Sequence, residues 1–391
     1  MMVLAPQLGG FALLAPYSNF GGKGPVPVGS LNGVTAYGAF DMAGNVREWC
    51  SNETPGGRLI RGGAWGDNTY MFDTWSQAPA MDRSPRNGFR CAFYSEPEKI
   101  PAAAFQAMEV QIGEPVDYSK LDPVLDSVFQ VYKEQFSYDR TDLKSRVESR
   151  EESPGGWIRE KVSFEAAYGG ERVSAYLFLP GNAAPPYQTV IYFPGAASEW
   201  QRSSEDIENY YEFPMFLSFI VKNGRAVLYP IYKGTFERGT NDMASVIDYD
   251  SGSRQYTGIL IQEVQDFRRC LDYLETRPDI DAGRFAYYGM SWGGILGAII
   301  PAVEERLKAV VLLAGGFLGN YRPEAHPVTY VRRVKSPTLM LNGKYDSILP
   351  PETSSKPMFR LLGTPAEHKM QKFYETDHIP PVNEFIKETL A

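Results

Sequence analysis

Cysteine is scarce in these 391 residues, and histidine is equally scarce, with three of each. Cys50, Cys91 and Cys270 are too few and too odd in number for a disulfide framework, and none forms a CxxC pair of the kind that holds zinc. Free buried thiols are expected, with a single Cys50–Cys91 bridge as the alternative. Concentrated positive charge is also missing. With a net charge of −8 and no Lys/Arg cluster, the chain has no basic face for phosphates, which argues against a nucleic-acid partner. Long apolar runs are absent too. The opening "MMVLAPQLGGFALLAP" contains Gly and Pro, lacks a charged start and is too short to span a bilayer, so no membrane partner is expected. It reads as a cut or mobile end, the scar of a longer parent chain, and with no export signal the expected address is cytoplasmic. No internal repeat or low-complexity tract is present.

What is there falls into two textures. Residues 20–94 are rich in Gly, Asn and Trp, show almost no helical periodicity, and predict loops and short strands. After the connector "YSEPEKIPAAAF" the pattern changes to alternating strand and helix signals, which places a boundary near residue 100 and predicts domains of 1–100 and 101–391. "LDPVLDSVFQVYKEQF" predicts an amphipathic helix, and "WIREKVSFEA" with "RVSAYLFLP" a hairpin at a sheet edge. Six buried-strand runs follow, from "QTVIYFPG" to "MQKFYE". Between the second and third, Leu260, Val264, Phe267, Leu271 and Leu274 recur at intervals of 4, 3, 4 and 3, the signature of a helix with one apolar face. The fold class expected is α/β, a doubly wound, mostly parallel sheet covered on both faces.

Gly289-Met290-Ser291-Trp292-Gly293 stands after a predicted strand and before a predicted helix, the context in which G-x-S-x-G forms a nucleophile elbow. A serine hydroxyl needs a base to take its proton. Of the three histidines, His326 comes too early in chain order and His368 sits in the polar turn "TPAEHKM"; His378, after "MQKFYE", is the expected base. The acid that fixes the imidazole tautomer is expected at Asp346, beyond the strand "PTLMLNG", 55 residues after Ser291 and 32 before His378. Asp377 is the rival, but consecutive side chains point apart on extended backbone, so it is expected as a solvated loop residue. An Asx turn after Gly343 is the plainer reading of Asp346. The oxyanion donors expected are the N–H groups of Trp292 and of Ala196, the latter following Pro194-Gly195, although Gly195 could serve merely to turn the chain.

These residues resemble the α/β-hydrolase superfamily over roughly 104–391, and "YPIYKGTFERG" with "GMSWGG" resembles its branch near dienelactone hydrolases, acetyl-xylan-type esterases and prolyl-oligopeptidase-like enzymes. The resemblance implies that Phe236 and the stretch 234–257 cover the active site. It also implies a serine carboxylesterase acting without a cofactor on small-molecule esters, acetyl or feruloyl among them. A prolyl-oligopeptidase-like peptidase is the enzymatic alternative, against which stands the lack of a repeated propeller domain. A non-catalytic binding or scaffold module is the alternative of another class.

The first segment, through "PVGSLNGVTAYGAFDMAGNVREWC", "RLIRGGAW" and "NGFRCAFY", resembles the C-terminal part of the formylglycine-generating sulfatase-modifying family, implying a small irregular α+β partial domain of C-type-lectin-like kind. Where that family's oxidases carry copper-binding cysteines, this chain has Asp67 and Phe72, and no histidine precedes His326 to build an iron site, so oxidase chemistry is not expected. The resemblance implies a structural calcium held by Asp41 and Glu48 carboxylates with Gly44 and Val46 carbonyls, the alternative being that the two acids only cap turns. The segment would shape the hydrolase pocket or pair subunits into a homodimer, with Trp49, Trp65 and Trp75 lining such a contact or filling a core.

Overall fold

A computed structural model describes residues 17–390 apart from 21, 36, 56, 68, 73–75, 109–117, 122, 240–250, 320, 347, 380–385, 387 and 388. The apolar opening, Trp75 and residues 240–250 of the covering stretch thus lie outside the described residues. The chain divides into two compact units. One is Met1–Pro115 with Lys344–Pro350 and Glu375–His378; the other is Val116–Gly343 with Pro351–Tyr374 and Ile379–Ala391.

In the first unit the described residues form a four-stranded sheet of β1 (Arg47–Thr54), β2 (Gly57–Arg61), β3 (Ser76–Ala78) and β4 (Asn87–Gly88), in the order β3-β2-β1-β4. The unit extends past the change of texture at residue 100 because the connector is tied to β1. Ser51 Oγ donates to the Ala104 carbonyl at 2.8 Å, Asn52 to that of Gln106 at 2.9 Å, and Met108 N–H to that of Glu53 at 2.7 Å. Hydrogen bonds of this kind leave no signal in composition. The three cysteines are free; Cys270 is buried, Cys50 half-buried and Cys91 exposed, so burial of all three thiols is corrected.

In the second unit the described residues build a nine-stranded sheet. Its strands are β5 (Arg146–Glu152), β6 (Trp157–Glu165), β7 (Arg172–Pro180), β8 (Tyr187–Phe193), β9 (Ala226–Ile231), β10 (Ile280–Met290), β11 (Leu307–Leu313), β12 (Thr338–Gly343) and β13 (Lys369–Tyr374). Their order is β13-β12-β11-β10-β8-β9-β7-β6-β5. Pairing is parallel from β9 through β8 to β13, and antiparallel among β5, β6, β7 and β9. Alternation along each strand loads both faces: Ile191, Phe193 and Tyr287 join one apolar cluster, and Val190, Tyr192, Tyr288 and Met290 the other. A strand buried on both sides has no polar face to show, which is why the core strands read as unbroken apolar runs.

The helix Arg254–Glu275 is capped by Ser253, whose Oγ accepts from Tyr256 N–H, and all five of its periodic apolar residues are buried in the first cluster. The earlier amphipathic helix is shorter than its pattern, Asp126–Glu134, because Leu125 at its start is extended (ψ 153°). The charged strand β5 was not anticipated from the sequence. Chain direction across the sheet reverses at β8, which lies between β9 and β10. A crevice outside the carboxyl ends of the strands is expected at such a reversal, and there the chain delivers Gly195 and Ser291.

Candidate active site

Between β10 and the helix Trp292–Leu296, Ser291 adopts φ 52° and ψ −103°, a region that costs a non-glycine residue on the order of 1–3 kcal/mol. Its backbone is pinned on both sides, with Ser291 N–H donating to the Leu313 carbonyl at 2.8 Å and the Ser291 carbonyl accepting from Ile295 N–H at 2.9 Å. The flanking glycines are steric requirements. A Cβ on Gly289 would run into the Gly293 carbonyl, and one on Gly293 into the Phe193 carbonyl, both backbone groups that cannot swing away. Gly293→Ala is therefore expected to destabilise the protein by about 3 kcal/mol or to prevent folding. Gly258→Ala, whose added Cβ meets nothing within 4 Å, should leave stability equal or slightly higher. Urea unfolding of the two variants checks this.

The loop after β8 lies against Ser291. A Cβ on Gly195 would stand 2.9 Å from Met290 Sδ and 3.6 Å from Ser291 Cβ, so glycine is needed there for close approach. The Pro194 carbonyl accepts from Gly293 N–H at 3.1 Å, tying this loop to the elbow helix. Ala196 and Trp292 each open a helix, so their N–H groups fall outside the helical ladder.

Beneath the loop sits Glu212, which sequence reasoning missed. It is fully buried and accepts from Gly195 N–H at 2.9 Å, Tyr229 OH at 2.8 Å and Tyr211 OH at 3.1 Å. Burial pushes its carboxyl up to about 7, against the opposing pull of those donors. The one signal in the sequence was an acid interrupting the aromatic run "YYEFPMF".

Asp346 and His378 are brought together in the first unit. His378 Nδ1 lies 2.8 Å from Asp346 Oδ2, and both side chains are at most 1% exposed. Asp346 Oδ1 accepts from Ile348 N–H and Leu349 N–H, both at 2.9 Å, so this residue makes the expected turn with one oxygen while the other faces the imidazole. Burial alone would depress the imidazole, but the Asp346 charge and hydrogen bond, with a further contribution from Asp377, outweigh it and raise His378 above its ordinary value. The carboxylate at Nδ1 fixes the orientation of the imidazole ring.

The other two histidines do different work. His326 accepts from Val328 N–H at 3.1 Å through Nδ1, packs on Tyr118 and Tyr321, and is pushed down by burial to about 4. His368 is exposed.

Two expectations need correction. Asp377 is not solvated: its carboxylate pairs with Arg47 Nη1 at 2.6 Å, and its side chain is 13% exposed. Phe236 is not a cover; at φ 47° it is buried against Tyr210 and Tyr229. Around Asp41, Gly44, Val46 and Glu48, the residues for which a calcium was expected, the Glu48 carboxylate is engaged by a cation of the protein's own, while Asp41 Oδ1 is buried without a hydrogen-bond partner among the described residues. Glu48 is held by the Arg90 guanidinium at 2.9 and 3.0 Å, and Arg90 Nη2 also donates to the Phe40 and Asp41 carbonyls, at 3.0 and 3.4 Å. Asp41 Oδ2 accepts from Gly29 N–H, and Gly44 N–H donates to the Gly62 carbonyl. The positive charge in this corner is a guanidinium, and among the described residues no three His, Cys, Asp or Glu side chains gather around a common point. Asp67, at the position of an oxidase cysteine, is buried and accepts from Arg47 and from Ala64 N–H.

Residues 12–94 match the family described as sulfatase-modifying factor enzyme 1-like domain, and residues 218–379 match the dienelactone hydrolase family. The hydrolase YtaP of Bacillus subtilis (strain 168) is 27% identical over 170 residues, which cover 42% of this chain and 54% of that protein; the chain thus spans about half the length of this relative. Acetyl xylan esterase 1 from Thermoanaerobacterium sp. JW/SL YS485 superposes with a TM-score of 0.55 at 17% identity, covering 70% of this chain and 94% of that one. The acetyl xylan esterase from Paenibacillus sp. R4 does so with a TM-score of 0.50 at 18% identity, covering 70% and 96%. The chain carries a sulfatase-modifying-factor-like segment followed by a dienelactone-hydrolase-family domain of α/β-hydrolase fold.

Proposed function

We propose that the chain is a serine carboxylesterase that works through an acyl-enzyme on small or aromatic esters, acetyl and feruloyl among them. The observation that carries this reading is the pairing of two buried groups, His378 Nδ1 with Asp346 Oδ2, in a chain whose Ser291 stands at a strained strand-to-helix turn. The similarity to acetyl xylan esterases supports the choice of esters.

In the first step Ser291 Oγ bonds to the ester carbonyl carbon while its proton passes to His378 Nε2. The carbonyl oxygen becomes an oxyanion, met by the N–H groups of Ala196 and Trp292. Collapse breaks the bond to the alcohol, which leaves with the imidazolium proton. Water then attacks the acyl-enzyme by the same route, releasing the acid and restoring Ser291. Asp346 keeps the Nδ1 proton in place and stabilises the imidazolium. No step calls on a cofactor.

The test compares p-nitrophenyl acetate, p-nitrophenyl butyrate and methyl ferulate with a prolyl p-nitroanilide. A burst of p-nitrophenol equal to the enzyme concentration, followed by turnover, is the expected result. Cleavage of the anilide with no ester turnover would move the reading to a peptidase; inertness toward all four would favour a binding module.

A further inference from the structure

Arg47, the first residue of β1, is shared between two carboxylates. Its Nε and Nη2 bond Asp67 in a two-pronged pair at 2.8 and 2.9 Å, while Nη1 reaches Asp377 at 2.6 Å. Arg47 is 15% exposed, Asp67 5% and Asp377 13%, so the cluster is shielded from water, where ion pairs keep more of their strength than at the surface. Asp67 is in turn fixed by Ala64 N–H at 2.8 Å. Arginine suits this place because its planar fork can engage one carboxylate with two donors and still offer a third.

Asp377 directly precedes His378. The rest of the segment Glu375–His378 is tied to the acid turn. Tyr345 N–H donates to the Thr376 carbonyl at 2.9 Å, and Lys344 pairs with Glu375 at 2.7 Å. Lys344 and Glu375 are more than half exposed, where an ion pair contributes little. Besides the buried His378–Asp346 pair, a shielded anchor of the segment is Arg47. We infer that Arg47 is a positioning residue for the proposed esterase: by holding Asp377 it fixes the segment that carries the base. The inference rests on His378 being that base, and it gives the sulfatase-modifying-factor-like part a role in the chemistry without reacting atoms of its own.

Charge makes the role testable. Among the described residues the charged groups that act on His378 are Asp346 and Asp377; Glu375 and Lys344, in the same stretch, are spent on each other. Arg47 offsets the negative charge of Asp377. Arg47→Gln leaves that charge uncompensated beside the imidazole, so His378 should protonate more readily and the acid limb of kcat/KM should move to higher pH. Asp377→Asn removes the charge, and the limb should move to lower pH. At pH 8, Arg47→Gln is expected to lower kcat on p-nitrophenyl acetate about 10- to 100-fold with little change in KM, as for a displaced catalytic group. Arg47→Lys should restore the pH limb but only part of the rate, since one ammonium cannot reproduce the fork.

The imidazole Nδ1 proton, followed by low-field NMR against pH without substrate, reads the same shifts whatever the protein hydrolyses. Opposite shifts in the two variants are the expected result. Folded variants whose imidazole titration does not move, or moves the same way in both, would overturn the inference. Should Arg47→Gln fail to fold, the downward shift in Asp377→Asn decides alone. A wild type inert toward esters would remove the esterase reading, while the NMR titration would still decide the part played by Arg47.

Discussion

Ser291→Ala is expected to lower ester turnover by on the order of 10⁴- to 10⁶-fold and to abolish the burst of p-nitrophenol. The loss is large because the nucleophile, base and acid act as a unit, and what remains is whatever the oxyanion donors and substrate binding supply alone. Alanine keeps a Cβ, so the backbone at φ 52° stays as strained as before and the melting temperature should hardly move. Ser291→Gly separates the two properties. It should be as inactive as the alanine variant yet more stable by about 1–3 kcal/mol, since glycine accepts a positive φ without cost. Burst kinetics and thermal unfolding on the three proteins read both effects. An alanine variant with wild-type turnover would take Ser291 out of the chemistry altogether.

Asp346→Asn should lower kcat by about 10⁴-fold. An asparagine amide can donate to Nδ1, which places the imidazole proton on Nε2, the atom that must accept from the serine. The pH profile changes as well. In the proposed reaction His378 must be neutral to take the serine proton, and the Asp346 charge raises it above its ordinary value despite burial, so kcat/KM should fall as the pH drops through that raised value. Removal of the Asp346 charge leaves burial as the dominant influence, and the acid limb should shift to lower pH. Stability runs the other way. A raised folded pKa contributes stability that is fully present below about pH 6.5 and is lost as the pH rises through the folded value. Thermal unfolding between pH 5 and 8 should show this dependence in the wild type and little of it in Asp346→Asn.

Much of this was legible in the sequence because it is local or periodic. Strands β8 to β12 announce themselves as apolar runs, the long helix by its 4-3 spacing, and the elbow by two glycines whose steric need is visible once the turn is named. What escaped depends on partners far away in the chain. Asp377 is received by a guanidinium that comes from β1, which no local pattern announces. Glu212 looks like an accident in an aromatic run until Gly195, seventeen residues earlier, is folded onto it. The partner of Glu48 escaped for a similar reason: Arg90, forty-two residues later in the chain, closes on its carboxylate.

Strand β5, "RVESREE", ends the nine-stranded sheet and is exposed at all but one of its seven positions. An outermost strand offers a row of unused N–H and carbonyl groups to which another polypeptide can add. Five charges in seven residues leave this edge with little apolar surface to drive that addition, the means by which exposed edges are commonly blunted. This border of the sheet is thus poorly suited to growth into fibrils.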